Sequence, residues 1–178
     1  MNEHKVSGKN IDVALFRATD AQDVSRIVND SYEKAFGSIL AQDDLRSHRA
    51  RLNPGHFEEA VLHGDIIYIA KQEGLTVGMV QFSRSNVPEL NPPKGSLELD
   101  KLYISPDMQG KGVGRALLQV SFDDSMISSA PALYLLVWKE NKSAIRLYEN
   151  FDFHPVGVRR FPTKYGHSEN IIMMRLQS

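Results

Sequence analysis

The chain of 178 residues contains no cysteine. This absence excludes disulfide bonds, thiolate zinc sites and a cysteine nucleophile, and it permits an intracellular setting. Long apolar runs are also missing, since no stretch approaches the ~20 residues of a membrane-spanning helix. The N-terminal residues lack the apolar core of a signal peptide. We therefore expect a cytoplasmic, soluble protein with no membrane partner.

Neither sign of charge is in excess, because 21 basic residues stand against 22 acidic ones for a formal net charge of -1. This balance gives no electrostatic reason to expect nucleic acid as a partner. The six histidines include no i,i+4 pair, so we also expect no metal site. A small or locally charged partner fits this composition better. The oligomeric state is left open, with a homodimer as one option.

Periodic patterns predict one α/β domain over residues 11–178, after a polar leader over residues 1–10. The predicted strands cover residues 13–17, 66–71, 76–83, 97–104, 133–138, 153–159 and 170–176. The predicted helices cover residues 19–36, 42–51, 56–63 and 113–128, with a last helix capped at 141–143 and ending near 150. Strands 97–104 and 133–138 should be parallel neighbours, because the helix between them supplies a right-handed crossover.

One stretch, residues 97–118, combines an alternating strand, a proline turn, a glycine-rich loop and the start of a helix. Glycines at 110, 112 and 114 allow a bulky anion to approach the backbone. A helix that begins near Val113 would direct unpaired N–H groups and the positive end of its dipole at the loop. The stretch therefore predicts a phosphate-binding site.

Two well-known nucleotide-binding patterns do not fit these glycines. A dinucleotide fingerprint requires G-x-G-x-x-G/A, but Arg115 or Leu117 occupies the last place, depending on the first glycine chosen. The ATP-type loop G-x-x-x-x-G-K-[ST] is absent from the sequence. The pattern that fits is Q-x-x-G-x-G at residues 109–114.

With this pattern the chain resembles the GCN5-related N-acetyltransferase (GNAT) family. Residues 137–153, V-W-K-E-N-K-S-A-I-R-L-Y-E-N-F-D-F, look like a second signature of that family, and the order of elements is similar from about residue 13 to 176. The resemblance implies a single-domain fold with a mixed, mostly antiparallel central sheet of six to seven strands and helices on both faces. Within the family, the residues of these two signatures look most like the bacterial branch that includes polyamine acetyltransferases.

The resemblance implies acetyl-coenzyme A (acetyl-CoA) as the co-substrate, and the histidine spacing gives no reason to expect a metal beside it. In the family the glycine loop holds the pyrophosphate, and the pantetheine arm pairs with the end of the central strand. The cofactor-binding residues carried over are Leu102, Tyr103 and Ile104 for pantetheine, Gln109, Gly110, Lys111, Gly112, Val113, Gly114 and Arg115 for the diphosphate, and Asn141, which can also cap a helix. Free N–H groups beside two basic side chains suit the negative charges of coenzyme A.

Two carboxylates are candidates for a catalytic base. A primary amine with a pKa near ~10.4 is mostly protonated at pH 7, so a carboxylate that removes its proton, directly or through water, would help. Glu98 and Asp100 share a strand face by period-two alternation, and burial would perturb their pKa values. We favour Glu98, which falls where the histone acetyltransferase branch looks to have its glutamate. The alternative is that one or both are ordinary surface or salt-bridged carboxylates.

Tyr148 is the predicted acid. The family motif N-x-x-A-x-x-x-Y is present as Asn141, Ala144 and Tyr148, and in the family its tyrosine protonates the departing thiolate. A phenol with a pKa near ~10 can donate to a thiolate whose conjugate acid lies near ~8.5. One departure from the family is Asp152, which stands before Phe153 where a glycine is usual. Aspartate tolerates a left-handed backbone, so we expect the turn to persist with some strain.

The acceptor is expected to be a polyamine or another small primary amine, reached by direct transfer because no cysteine is present to carry an acyl group. A peptide or protein amine is the alternative, and a non-catalytic acyl-CoA sensor is the rival from another class. Helices 19–36 and 42–51 form either a solvated surface or a lid over the acceptor. Acidic residues near Tyr32, Asp43, Asp44 and Glu98 would favour a polycation, whereas an open hydrophobic groove would favour a peptide.

Overall fold

The structure is a computed structural model that describes residues 4–6, 11–37, 42–163 and 166–177. Most of the predicted leader and the connection at 38–41 between the first two predicted helices lie outside the described residues. The chain divides into two compact units, Met1–Gln81 with Lys101–Asp123 and Phe82–Asp100 with Asp124–Ser178. The single domain over residues 11–178 stays a prediction.

The first unit combines helices with antiparallel strands that are hydrogen-bonded in sequence order. Its helices are α1 (Ala21–Phe36), α2 (Gln42–Arg51), α3 (Pro54–Leu62) and α4 (Val113–Ser121). Its strands are β1 (His4–Val6), β2 (Ile11–Leu15), β3 (Ile66–Gln72) and β4 (Leu75–Arg84), the last of which continues into the second unit. Glu73 and Gly74 join β3 to β4 with φ of 51° and 80°, the positive values that a two-residue hairpin requires.

Amphipathic spacing along α1 builds the core of the first unit. The four residues predicted to share one face, Val24, Ile27, Val28 and Ser31, are all buried. Val24 and Val28 pack in a cluster with Phe57 of α3 and Met79 of β4. Gly37 ends the helix as predicted, and its N–H donates to the Glu33 carbonyl at 2.7 Å.

The second unit is a sheet segment in the order β5-β6-β8-β7, with two short helices. Its strands are β5 (Leu97–Ile104), which continues into the first unit, β6 (Ala132–Trp138), β7 (His154–Thr163) and β8 (Gly166–Leu176). Its helices are α5 (Ser125–Ser128) and α6 (Lys142–Glu149). β5 and β6 are parallel from Leu97↔Leu133 to Leu99↔Leu135, which confirms that prediction, whereas β8 pairs antiparallel with both β6 and β7.

The predicted fold class, an α/β fold with a mixed, mostly antiparallel sheet, is confirmed. The described residues form eight strands rather than six or seven, because β1 forms within the segment expected to be a leader. None of the helices in the described ranges is long and apolar enough to cross a membrane.

The largest differences from the predicted boundaries lie in one helix and in the last hairpin. The single helix expected over 113–128 is wrong, because α4 ends at Ser121 and the Asp124 side chain starts α5 by accepting from the Met126 N–H at 2.8 Å. The last two strands are longer than predicted. Arg160 of β7 and Glu169 of β8 lie opposite each other there and form an ion pair of 2.9 Å, so charged residues that resemble a loop extend the hairpin.

Candidate active site

The glycine loop leaves β5 through one turn of 3-10 helix at Pro106–Met108 and enters α4 at Gly112. Gly110 and Gly112 have φ of 74° and 88°, values that only glycine adopts at little cost. A Cβ atom built at either position would meet no atom within 4 Å. Backbone conformation, rather than crowding, therefore requires these glycines, and open space lies above them.

The start of α4 supplies backbone donors to this space. The first hydrogen bond of the helix runs from the Ala116 N–H to the Gly112 carbonyl at 3.0 Å, and no side chain caps the helix. Within the described part of the chain, no protein acceptor receives the N–H groups of Gly110, Gly112, Val113, Gly114 and Arg115. Unpaired N–H groups at a helix N-terminus attract anions.

Two cations accompany these donors. Lys111 and Arg115 are exposed, and neither forms a salt bridge with another described side chain. The Lys111 Nζ lies 3.9 Å from the Met108 Sδ. The predicted diphosphate residues thus combine free backbone donors, two basic side chains and the absence of blocking Cβ atoms.

The three residues predicted to pair with pantetheine, Leu102, Tyr103 and Ile104, are half-buried at the end of β5. The Ile104 carbonyl accepts hydrogen bonds from Ser31 Oγ at 3.1 Å and from Gln109 Nε2 at 3.4 Å. Gln109 therefore ties the glycine loop back to the strand that precedes it. The contact from Ser31 was not predicted, because it joins residues 73 positions apart.

Gly78 of β4 supports the same region from beneath. A Cβ atom at this position would lie 2.9 Å from Ile104 Cδ1 and 3.0 Å from Val113 Cγ1, closer than packed atoms tolerate. The glycine therefore lets β4 pack closely against the end of β5 and the start of α4. Sequence reasoning missed this role, although an isolated glycine within a strand is a signal of close approach.

Glu98 lies in the second unit with its carboxylate half-buried. Its Oε2 accepts a hydrogen bond of 2.9 Å from the backbone N–H of Asn86. Burial raises the pKa of Glu98, and the charges of Asp100 and Glu89 act in the same direction, against the Asn86 hydrogen bond and the Arg159 charge. Asp100 is exposed. Of the two carboxylates, Glu98 is therefore the half-buried one with a raised pKa, and its role as the base stays a prediction.

Asn141 begins α6 as predicted. Its Oδ1 accepts from the Ala144 N–H at 3.2 Å and from Ser143 Oγ at 3.1 Å, so the side chain caps the helix. The cap fixes the N-terminus of the helix that carries Tyr148. A contact from Asn141 to the cofactor stays a prediction.

Tyr148 is buried at the other end of α6, with 7% of its surface exposed. Its carbonyl accepts from the Phe153 N–H at 3.1 Å, and the Glu149 carbonyl accepts from the Asp152 N–H at 3.1 Å. This pair of hydrogen bonds is the Schellman arrangement that closes a helix. Asp152 has φ of 62°, so aspartate takes the left-handed conformation that was predicted where the family usually has glycine.

A half-buried tyrosine of α1 stacks on a buried histidine of α2. The ring of Tyr32 stacks on His48 with centroids 3.5 Å apart and an angle of 10° between the planes. Burial, followed by the charges of Arg51 and Lys101, lowers the pKa of His48 to about 4. Asp43 and Asp44 are exposed, as expected of a solvated surface, whereas Leu45 and His48 are buried. A role of this helix pair as a lid over the acceptor stays a prediction.

The acetyltransferase (GNAT) family model matches residues 22–153, which include both sequence signatures up to Phe153. The chain belongs to this family. The resemblance seen in the glycine loop and in residues 137–153 is confirmed at the level of the family.

Relatives of known name match a part of the chain. The [ribosomal protein bS18]-alanine N-acetyltransferase of Salmonella typhimurium is 38% identical over 77 residues, which cover 42% of this chain and 52% of the relative. The N-alpha-acetyltransferase RimI of Mycobacterium tuberculosis is 32% identical over 91 residues, covering 51% and 53%. The chain thus spans about half the length of these relatives.

Solved structures of low identity share the fold. The PaiA N-acetyltransferase of Thermoplasma acidophilum, in complex with coenzyme A, superposes with a TM-score of 0.70 at 14% identity, covering 93% of this chain and 98% of that one. The acetyltransferase yncA of Salmonella typhimurium, with its cofactor acetyl-CoA, has a TM-score of 0.71 at 18% identity, covering 96% and 95%.

Proposed function

We propose that the protein is an acetyl-CoA-dependent N-acetyltransferase whose acceptor is the α-amino group of a peptide or protein. The observation that carries the proposal is the glycine loop. There, backbone N–H groups at the start of α4 have no hydrogen-bond acceptor among the described residues, and the space above Gly110 and Gly112 is open. This arrangement fits a diphosphate. Family membership supplies the reaction class.

The residues of the loop fit the charge and shape of coenzyme A. The N–H groups from Gly110 to Arg115 would hold the diphosphate, with Lys111 and Arg115 neutralising it. Leu102, Tyr103 and Ile104 would contact the pantetheine arm. Bound acetyl-CoA supplies the acetyl group as an activated thioester.

Glu98 is proposed to take the proton that the acceptor amine loses. Burial raises the pKa of this carboxyl, which makes it a better proton acceptor than an exposed glutamate. A peptide α-amine, with a pKa of ~7.7–8.0, is already partly neutral at pH 7, so a base of this strength suffices. Asp100 or a water-mediated route stays the alternative.

Tyr148 is proposed to donate a proton to the departing thiolate of coenzyme A. As the amine nitrogen bonds to the acetyl carbon, the carbon–sulfur bond breaks and the thiolate sulfur takes the proton of the Tyr148 hydroxyl. The amine proton passes to Glu98 and then to solvent, and solvent reprotonates Tyr148. Atoms and charge balance without an enzyme-bound acyl group.

Two observations favour an α-amine over a polyamine. The named relatives are an alanine N-acetyltransferase of a ribosomal protein and an N-alpha-acetyltransferase. Arg51 of α2 and Lys101 of β5 also place positive charge near His48, since both lower its pKa. One acidic group, Asp44, opposes them by raising the pKa of Tyr32, which Arg51 lowers. A polycation would be repelled by the two cations.

Thiol release from acetyl-CoA, measured against a panel of amines, tests the proposal. The panel contains a peptide with a free N-terminal alanine, the same peptide with a formylated N-terminus and an internal lysine, and spermidine. We expect release with the free α-amine only. Release with spermidine alone would establish the polyamine acceptor, and tight acetyl-CoA binding without release from any amine would establish the sensor.

A further inference from the structure

A hydrogen-bond network that the sequence did not predict surrounds Glu98 in the second unit. Arg159 of β7 binds Glu89 through two bonds, Nε to Oε1 at 2.7 Å and one terminal nitrogen to Oε2 at 2.8 Å. The same terminal nitrogen donates to the carbonyl of Asn86 at 2.8 Å. Arg159 therefore joins two residues of the loop that precedes β5.

The backbone of Asn86 connects this arginine to the carboxylate. Its carbonyl accepts from Arg159, and its N–H donates to Glu98 Oε2 at 2.9 Å. This is the one hydrogen bond that the Glu98 side chain makes within the described residues, and it leaves Oε1 for another donor. We propose that Arg159 is a positioning residue for Glu98: its guanidinium, anchored on Glu89, holds Asn86 so that the Asn86 N–H orients the carboxylate. The role of that carboxylate as base rests on the proposed function.

The geometry of Arg159 separates it from an ordinary surface ion pair. Exposed pairs stabilise proteins little, but a bidentate arginine fixes direction as well as charge. A lysine ammonium cannot donate in the planar geometry by which the Arg159 guanidinium binds Glu89 and the Asn86 carbonyl at the same time. Arg160, the next residue along β7, offers a matched comparison because it pairs with Glu169 on β8 through a single described bond of 2.9 Å.

The charged groups that act on Glu98 are Arg159, which lowers its pKa, and Asp100 and Glu89, which raise it. Removing Arg159 eliminates the favourable charge, leaves Glu89 uncompensated and frees Asn86 to turn its N–H away. All three effects raise the pKa of Glu98.

The test follows the carboxyl titration of Glu98 by NMR in the full chain labelled with ¹³C-glutamate, with Glu98→Gln to assign the signal. Arg159→Gln should move the titration midpoint to higher pH and lower kcat/KM about tenfold at pH 7 with little change in KM. Arg160→Gln should leave both at the parent values. Arg159→Lys should keep a reduced kcat/KM, because it restores charge without the fork.

Each outcome supports or overturns the positioning role of Arg159. A Glu98 titration that Arg159→Gln leaves unmoved would overturn the positioning role, and so would full recovery of titration and kcat/KM in Arg159→Lys, since charge alone would then suffice. If Arg159→Gln fails to fold, the lysine variant carries the test with the same criteria. If the titration moves but the parent acetylates no amine, the positioning role stands and the proposed function fails. If the parent protein acetylates an amine but Arg159→Gln leaves the Glu98 titration unmoved, the proposed function stands and the positioning role fails.

Discussion

The ring of Phe153 meets the ring of Tyr148 edge-on, with centroids 6.0 Å apart and planes at 62°. Phe153 is fully buried, and the two residues also share the hydrogen bond that closes α6. A hydrophobic contact of this kind commonly accompanies the Schellman arrangement. The same turn that ends the helix therefore holds the proposed acid from one side.

Replacing Tyr148 by phenylalanine should lower kcat roughly 10²-fold, because the thiolate loses its proton donor while the packed ring remains. The affinity for acetyl-CoA, measured by calorimetry, should stay near the parent value. Tyr134→Phe removes a hydroxyl from another buried tyrosine of the second unit and should leave kcat unchanged. Equal activity of the Tyr148 variant and the parent would remove Tyr148 from the acid role.

Glu98→Gln should abolish the acidic limb of the pH–kcat/KM profile, because activity that needs the carboxylate rises with pH through the raised pKa of Glu98. The same variant should unfold at higher temperature than the parent at pH 7. A carboxyl whose pKa is raised by folding stabilises the protein below its unfolded pKa and loses that contribution as pH rises through its folded pKa. Asp100→Asn removes a charge that raises the pKa of Glu98, so it should move the acidic limb to lower pH without abolishing it. An unaltered profile in Glu98→Gln would contradict the base role.

Gly112→Ala should weaken acetyl-CoA binding, because alanine resists φ of 88° and the loop would relax away from its cradle shape. Gly64→Ala is a matched control, since Gly64 has φ of 98° and is equally uncrowded but lies between α3 and β3. Both variants should lose about 1–2 kcal/mol of unfolding free energy in urea. Only Gly112→Ala should lose affinity in calorimetry, and an equal loss in both would argue against the loop as the cofactor site.

Asp152→Gly should stabilise the protein by up to about 1 kcal/mol, because glycine adopts φ of 62° without the steric cost that aspartate bears. Asp152→Val should destabilise it, since a β-branched residue is least suited to this conformation. Urea unfolding of the two variants measures the difference. If valine and glycine gave the same stability, the left-handed turn would not persist in solution.

His48 should make stability depend on pH between about 6.5 and 4. Its folded pKa of about 4 lies below the ordinary value of 6.5, so protonation favours the unfolded chain as pH falls through this range. Between pH 7 and pH 5 the loss should be about 2 kcal/mol. His48→Phe keeps a ring against Tyr32 and should lose less over the same interval. An identical loss in both proteins would assign the pH dependence to other groups.

The sequence predicts local features well wherever one short pattern determines them. Residues 42–51 and 97–104 were predicted to the residue as α2 and β5, because a turn signal or an alternating pattern bounds each of them. The break before α5 was missed because one side chain, Asp124, decides it. Only the fold reveals the environment of Glu98, since Asn86 and Arg159 are 73 residues apart in the chain. Ser31 and Gly78 were missed for the same reason, because their partners at Ile104 are distant in sequence.

Gly78 has a consequence for anyone who wishes to transplant this cofactor loop into another scaffold. Residues 109–115 contain the glycine pattern that a sequence comparison detects. The strand beneath them must also have a glycine at the position of Gly78, where it passes Ile104 and Val113. A graft that copied the loop alone would place a Cβ atom against the side chains of Ile104 and Val113, which would have to shift. The portable unit is therefore the loop together with a bare position on β4, a requirement that comparing loop sequences would not reveal.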